Sequence, residues 1–215
     1  MSEPPAPQFS GAPGTSRRTA IGAVIAGLLV TGVVIGALWA LIAPPIHGVV
    51  AVNHEGERLH DYLGNEADHF FVAEFLMLGM LTVLAVVAAV LVWQWRAHRG
   101  PGMVAGLSIG VVAAAAAAAG VGSLLVRVRY GAVDIAGAPV THDHPLHYFV
   151  EAPPVFFGHA PLQIACSLLL PVATAALVYA LLVAAATRDD LGGYPAVDSP
   201  QPVSAVAVSP GGSAS

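Results

Sequence analysis

The residues with the strongest claim to chemistry are histidines, and their densest string is His142-Asp143-His144-Pro145-Leu146-His147. Imidazoles at i, i+2 and i+5, with a carboxylate between them, could supply three ligands to zinc or copper. Nothing in the string closes a tetrahedral shell, and a polar loop tip collects His and Asp for solvation alone. The spacing leaves three readings open: a solvated loop, a metal site at His142, His144 and His147, and a pH-sensitive switch. The switch draws on numbers, because eight of the nine histidines fall in two segments, residues 44–69 and 126–161, and imidazole titrates near neutrality. No nucleophile elbow, phosphate-binding glycine loop or zinc-protease helix motif occurs. No catalytic residue and no cofactor are expected, and the chain does not read as an enzyme.

The elements that must position these histidines are four apolar runs, at about residues 19–43, 70–95, 103–126 and 162–186. Each exceeds the roughly 18–20 residues needed to cross a bilayer. With 56% hydrophobic and 10% charged residues and a mean hydropathy of +0.75, the 215-residue chain is too apolar for a soluble domain. All eight basic residues are arginine, and the net charge of −5 argues against a nucleic-acid partner. The single cysteine, Cys166, lies in the fourth run, so no intramolecular disulfide can form. A twin-arginine signal peptide at Arg17-Arg18 fits poorly. The first apolar run is too long for a signal h-region, and Pro44-Pro45 follows the plausible cleavage point.

Orientation follows from the arginines. Arg17, Arg18, Arg96, Arg99 and Arg188 fall on one side, against Arg58, Arg127 and Arg129 on the other. The positive-inside rule then predicts a multi-pass inner (plasma) membrane protein with both termini in the cytoplasm and both long loops outside. Trp93 and Trp95 are expected at the cytoplasmic interface and Trp39 at the outer one. The expected organisation is a disordered tail over 1–18, a four-helix membrane domain over 19–189 and a disordered tail over 190–215.

Small residues mark a close helix seam. Gly32 and Gly36 in the first helix, and Gly102, Gly106 and Gly110 in the third, recur at four-residue spacing, which lets backbones approach in lipid. Pro171 predicts a kink in the fourth helix. The only acid within the spans is Glu74, about one turn inside the second helix. Arg127 and Arg129 leave the third helix at the same level, which predicts a structural ion pair with Glu74. Mid-membrane polar groups are limited to ones such as Thr31, Thr82, Ser108, Ser167 and Thr174, each able to bond its own helix.

The outer loops, 44–69 and 126–161, carry β-prone runs. Gly48–Val52 and Glu57–Leu63 flank an Asn/Gly turn and read as a hairpin. Leu125–Tyr130, Ala132–Ile135 and Leu146–Val150 suggest a second. The fold class expected is an all-α membrane protein: a four-transmembrane-helix bundle with a small extracytoplasmic β-cap built from both loops. Pro44-Pro45 and Pro153-Pro154 set the chain's direction where loop meets helix.

Several short motifs together resemble a known family. They are Ala43-Pro-Pro-Ile-His47, Asp61-Tyr-Leu-Gly-Asn65, His69-Phe-Phe71, Trp93-Gln-Trp-Arg-Ala-His-Arg-Gly-Pro101, Ala152-Pro-Pro-Val-Phe-Phe157 and Arg188-Asp-Asp-Leu-Gly-Gly-Tyr-Pro195. The combination, over roughly residues 19–196, is similar to a mycobacterial and related actinobacterial family of small four-span membrane proteins, classed as a domain of unknown function. The resemblance implies an inner-membrane protein of a mycolic-acid-type envelope. It makes lipid-import assemblies of the mammalian-cell-entry type conceivable partners, and it carries no catalytic residues.

The function expected is that of a non-enzymatic accessory or scaffold subunit of a larger inner-membrane complex. Its cap would be presented outside, and the peptide bearing Arg188, Asp189, Asp190 and Tyr194 would dock a partner inside. One alternative is a small oligomeric transporter or permease with Glu74 at its outer entrance. Another is a periplasmic pH or metal sensor using the outer histidines. The partners expected are the lipid bilayer and other membrane-protein subunits.

Overall fold

Long apolar runs with few helix breakers become long helices. In the computed structural model, which describes residues 15–53, 55–134, 137–141 and 144–186, α1 spans Arg17–Ile42, α2 Asp68–Gln94, α3 Pro101–Tyr130 and α4 Pro161–Ala184. All four are long and apolar enough to cross a membrane, and the chain is a multi-pass membrane protein. A single 3-10 turn, Arg96–His98, joins α2 to α3. Its His98 is buried at 4% exposure, edge-on to Trp95 with ring centroids 4.9 Å apart.

The helix ends follow local chemistry. Ser16 caps α1 by accepting the Thr19 amide on its hydroxyl at 3.2 Å. Arg17 and Arg18 therefore belong to the helix, where a disordered tail was expected. Pro101 opens α3, where its missing N–H costs nothing. The other end of α3 differs from the expectation. Residues 127–130, read as strand, continue the helix to Tyr130, and among the described residues the second loop supplies the single strand Leu146–Glu151 and not the predicted hairpin. The Val-Arg-Val-Arg-Tyr run suits a helix C-terminus as well as a strand, because Arg127 and Arg129 face the negative end of the helix dipole. Gly131, at φ +74°, then stops the helix. α4 runs unbroken through Pro171, which is itself buried.

Thr31, Thr82, Ser167 and Thr174 each donate a hydroxyl to a carbonyl four residues back in their own helix. That is how an isolated hydroxyl is satisfied in an apolar span. No such bond is recorded for Ser108.

The tight seam lies between α1 and α3. Gly32 and Gly36 face the backbones of Ala114 and Ala118, close enough that a Cβ on either glycine would overlap them. A Cβ on Gly106 would stand 2.8 Å from Ile21, and one on Gly110 2.6 Å from Leu28. Gly102 takes no part in backbone approach. It faces the Arg17 side chain, 3.5 Å from where its Cβ would be. A further seam glycine, Gly122, lies under Trp39 and Met77.

Trp39 departs from its expected place at the interface. It is fully buried and donates its indole N–H to the Ala73 carbonyl of α2 at 2.8 Å. A buried indole needs such an acceptor, and a helix carbonyl has a second lone pair to offer. At the opposite end of the bundle Trp93 stacks edge-on against Tyr179 at 5.3 Å, with the Arg99 guanidinium 4.0 Å over its ring.

Both long loops contribute to one three-stranded antiparallel sheet. β1 (Ile46–Val52) lies between β2 (Arg58–Tyr62) and β3 (Leu146–Glu151). The register pairs Ala51 with Leu59 and Leu146, and Val49 with Asp61 and Tyr148. Directly opposed residues share a face, so one face carries Leu59, Ala51, Leu146, Val49, Tyr148 and Val150, together with the polar Asp61 and His47. The other carries Val50 and Phe149, which pack with Ala138 and Val140 from the segment before β3.

Candidate functional site

Ionisable side chains gather where the sheet meets the bundle, in two arrangements. The first is centred on Glu66, in the turn between β2 and α2. Its Oε2 lies 3.1 Å from His47 Nδ1 and 3.0 Å from His69 Nδ1, and it accepts the His47 backbone amide at 3.1 Å. His69 Nδ1 is also 2.9 Å from the Pro45 carbonyl. A carbonyl can only accept, so that ring carries its proton on Nδ1. One carboxylate thus ties β1, the turn and the first turn of α2 together. The His47 hydrogen bond holds the Glu66 carboxyl below the usual glutamate range. Partial burial opposes that shift, and the two imidazoles' charges reinforce it.

The second arrangement is a cleft of about 560 Å³ between the end of α3, β3 and the start of α4. Arg127, Glu151 and His159 line it, together with Val126, Phe156 and Ile164. Across the sheet from the cleft, Tyr62 donates its hydroxyl to Glu151 Oε2 at 3.2 Å. Burial, with the Glu151 charge and hydrogen bond adding to it, pushes the Tyr62 phenol above its ordinary value and keeps it a donor. Tyr62 also stacks edge-on with Phe70 at 5.2 Å.

The predicted ion pair between Glu74 and the two arginines does not form. Glu74 is buried at 7% exposure, facing Val155, Phe156 and Phe157 across a space of only about 10 Å³. Arg127 is exposed at the cleft in the last turn of α3, and Arg129, also exposed, lies 5.2 Å over the Tyr130 ring. Two ion pairs meet instead at Glu66. The link from Glu66 to His47 joins residues far apart in sequence. The spacing of Glu66 and His69 by three on one helix start was the sole local signal.

The predicted metal string falls partly outside the described residues, since His142 and Asp143 lie there. Among the described residues no group of three His, Cys, Asp or Glu is placed to hold a metal ion. His147 sits in β3, paired with Val50 of β1. Arg188, Asp189, Asp190 and Tyr194, the expected docking peptide, also lie outside the described residues.

Relatives of this chain share its extent. It is 63% identical over 173 residues to the uncharacterized protein Rv1591 of Mycobacterium tuberculosis (strain ATCC 25618 / H37Rv), covering 80% of this chain and 90% of that protein. It is 61% identical over 170 residues to the uncharacterized protein ML1222 of Mycobacterium leprae (strain TN), covering 79% of this chain and 86% of that one. No solved structure matches the chain. A match over residues 28–193 takes in the sheet, both ionisable arrangements and nearly all of the bundle, and with it the chain belongs to the family described as protein of unknown function (DUF2567).

Proposed function

We propose that this protein is a non-enzymatic accessory subunit of a larger membrane complex, docking its partner through the open face of the sheet. The observation that carries this reading is the composition of that face. Tyr148 is 64% exposed, Leu59 57% and Leu146 53%, and Val150 joins them on β3. The row Leu59–Ala51–Leu146 lies five residues beyond Ile46 along β1, about 16 Å further from the end of α1 at 3.3 Å per residue. Lipid is not the natural cover for a patch carried that far along the strand, and a largely apolar surface outside the bilayer, here interrupted by Asp61, marks a docking site. Both neighbours of β1 are edge strands, which leaves backbone groups for a partner strand as well.

In this reading both termini are cytoplasmic, the sheet lies outside the inner membrane, and the docked partner is another membrane-protein subunit. An envelope lipid-import assembly is the class to test first, on the family resemblance alone. The permease alternative draws no support from Glu74, whose adjoining space holds one water at most. The sensor alternative is favoured by the Glu66 cluster, through its two imidazoles.

The test is affinity purification in mild detergent from the native host, with mass spectrometry. A stoichiometric membrane partner, lost on Tyr148→Asp while the protein still inserts, supports the reading. A clean homo-oligomer, or a partner retained at full level by Tyr148→Asp, overturns it.

A further inference from the structure

We propose that the cleft between α3, β3 and α4 binds the headgroup of a zwitterionic phospholipid of the phosphoethanolamine type. Three observations converge on it. The first is charge. Arg127 and Glu151 line the same cleft, yet they are not within ion-pair distance of each other, and the Arg127 side chain makes no hydrogen bond or ion pair among the described residues. A ligand that carries a phosphate and an ammonium group satisfies both. Arg127 receives the phosphate through its fork of donors, with His159 beside it. Glu151 receives the ammonium, because Tyr62 occupies Oε2 and leaves Oε1 for a second donor.

The second observation is depth. Arg127 lies 26 residues beyond Pro101 in α3, about 39 Å along the helix at 1.5 Å per residue. A bilayer with its headgroup regions is about 40–45 Å thick. The cleft therefore sits where phosphates lie when the other end of α3 is at the opposite interface.

The third observation is lining. Val126, Val155, Phe156 and Ile164 give the cleft an apolar wall, and the volume of about 560 Å³ suits a headgroup with its glycerol and first acyl carbons. A free phosphate would use neither Glu151 nor that wall. A phosphocholine head offers no N–H to Glu151, and a phosphoglycerol head adds no cation to offset it. The order of preference expected is phosphatidylethanolamine first, with phosphatidylglycerol and phosphatidylcholine behind it.

Native mass spectrometry of the full chain in gentle detergent tests this. The protein would be offered equal amounts of dioleoyl phosphatidylethanolamine, phosphatidylglycerol and phosphatidylcholine. One phosphatidylethanolamine should be retained in preference by about tenfold or more, the size expected of charge-assisted hydrogen bonds. R127Q should lower that retention by about tenfold. E151Q should bring phosphatidylethanolamine and phosphatidylglycerol to within about twofold of each other. Circular dichroism checks that each variant remains helical, and the lipids that copurify with the unaltered protein give an answer free of any variant. Equal or greater retention of phosphatidylglycerol, undiminished binding to R127Q, or displacement of the lipid by an equal concentration of soluble glycerophosphoethanolamine would overturn the proposal.

Discussion

Gly48 of β1 and Phe149 of β3 are cross-strand partners, and the Phe149 ring lies across the place where a Gly48 side chain would begin. The glycine leaves a gap in the central strand that the aromatic ring closes, which offsets the weakness glycine brings to a strand. Gly48→Ala should displace the ring and loosen its contacts with Val50, Ala138 and Val140. A destabilisation of about 1–3 kcal/mol, the usual range for overpacking, is expected in the sheet alone. Hydrogen exchange should quicken across residues 46–52 and 146–151 while α1 to α4 keep their protection. Unchanged exchange in the strands would mean that the ring has room to move.

Glycines in this chain are sharply unequal. Gly36→Ala pushes a methyl into the Ala118 backbone, where nothing flexible can yield, so α1 and α3 must separate or shift. Gly27→Ala meets nothing within 4 Å and gains helix propensity of about 0.5–1 kcal/mol. Unfolding of the detergent-solubilised protein in sodium dodecyl sulfate should show Gly36→Ala less stable and Gly27→Ala neutral or more stable. Equal behaviour of the two would show that the seam contributes little.

Most of the fold was legible because the membrane leaves the chain few choices. A run of 20 apolar residues in lipid must become a helix, and small residues at i, i+4 name the seam, as Gly32 and Gly36 do. What escaped the sequence depends on competition between local and long-range partners. Val-Arg-Val-Arg-Tyr alternates like a strand, yet it lies next to a helix already under way, and extending that helix needs no new nucleus. Glu74 and Arg127 were matched by an expected level in the bilayer, and level alone does not make an ion pair. Trp39 looked like an interface anchor because its acceptor, the Ala73 carbonyl, is backbone and carries no sequence signal. The Glu66 cluster was hidden for a similar reason, since His47 and Glu66 meet only once β1 and β2 have folded back together.

The Glu66 cluster makes the sheet acid-sensitive. The folded state depresses the carboxyl's pKa, chiefly through the His47 hydrogen bond. Its contribution is therefore fully present above the ordinary glutamate value and is lost as pH falls through the depressed one. Limited proteolysis between β2 and α2 should stay slow from neutral pH down to the carboxylate range and accelerate below it. Glu66→Gln should remove this acid step and raise cleavage already at neutral pH. An identical profile for the two proteins would show that the tie between β1 and α2 holds without the carboxylate.

The hydrogen bond from Trp39 to Ala73 joins α1 to α2 on the sheet-bearing half of the core, where Trp39 also packs over Gly122 and Met77. Trp39→Phe keeps most of the ring and deletes the donor. Because the Ala73 carbonyl retains its bond within α2, no acceptor is left bare, and the expected loss is only about 0.5–1.5 kcal/mol. Trp39→Ala deletes the ring as well and should cost about 3–5 kcal/mol. Trp95, at 38% exposure, provides the contrast, since Trp95→Phe removes a ring that still faces its surroundings and should leave stability nearly unchanged. Detergent unfolding followed by circular dichroism ranks the three. If Trp39→Phe and Trp95→Phe unfold together and Trp39→Ala lies close to both, the indole is not what holds α1 to α2, and the alanine-rich contacts around it carry that junction.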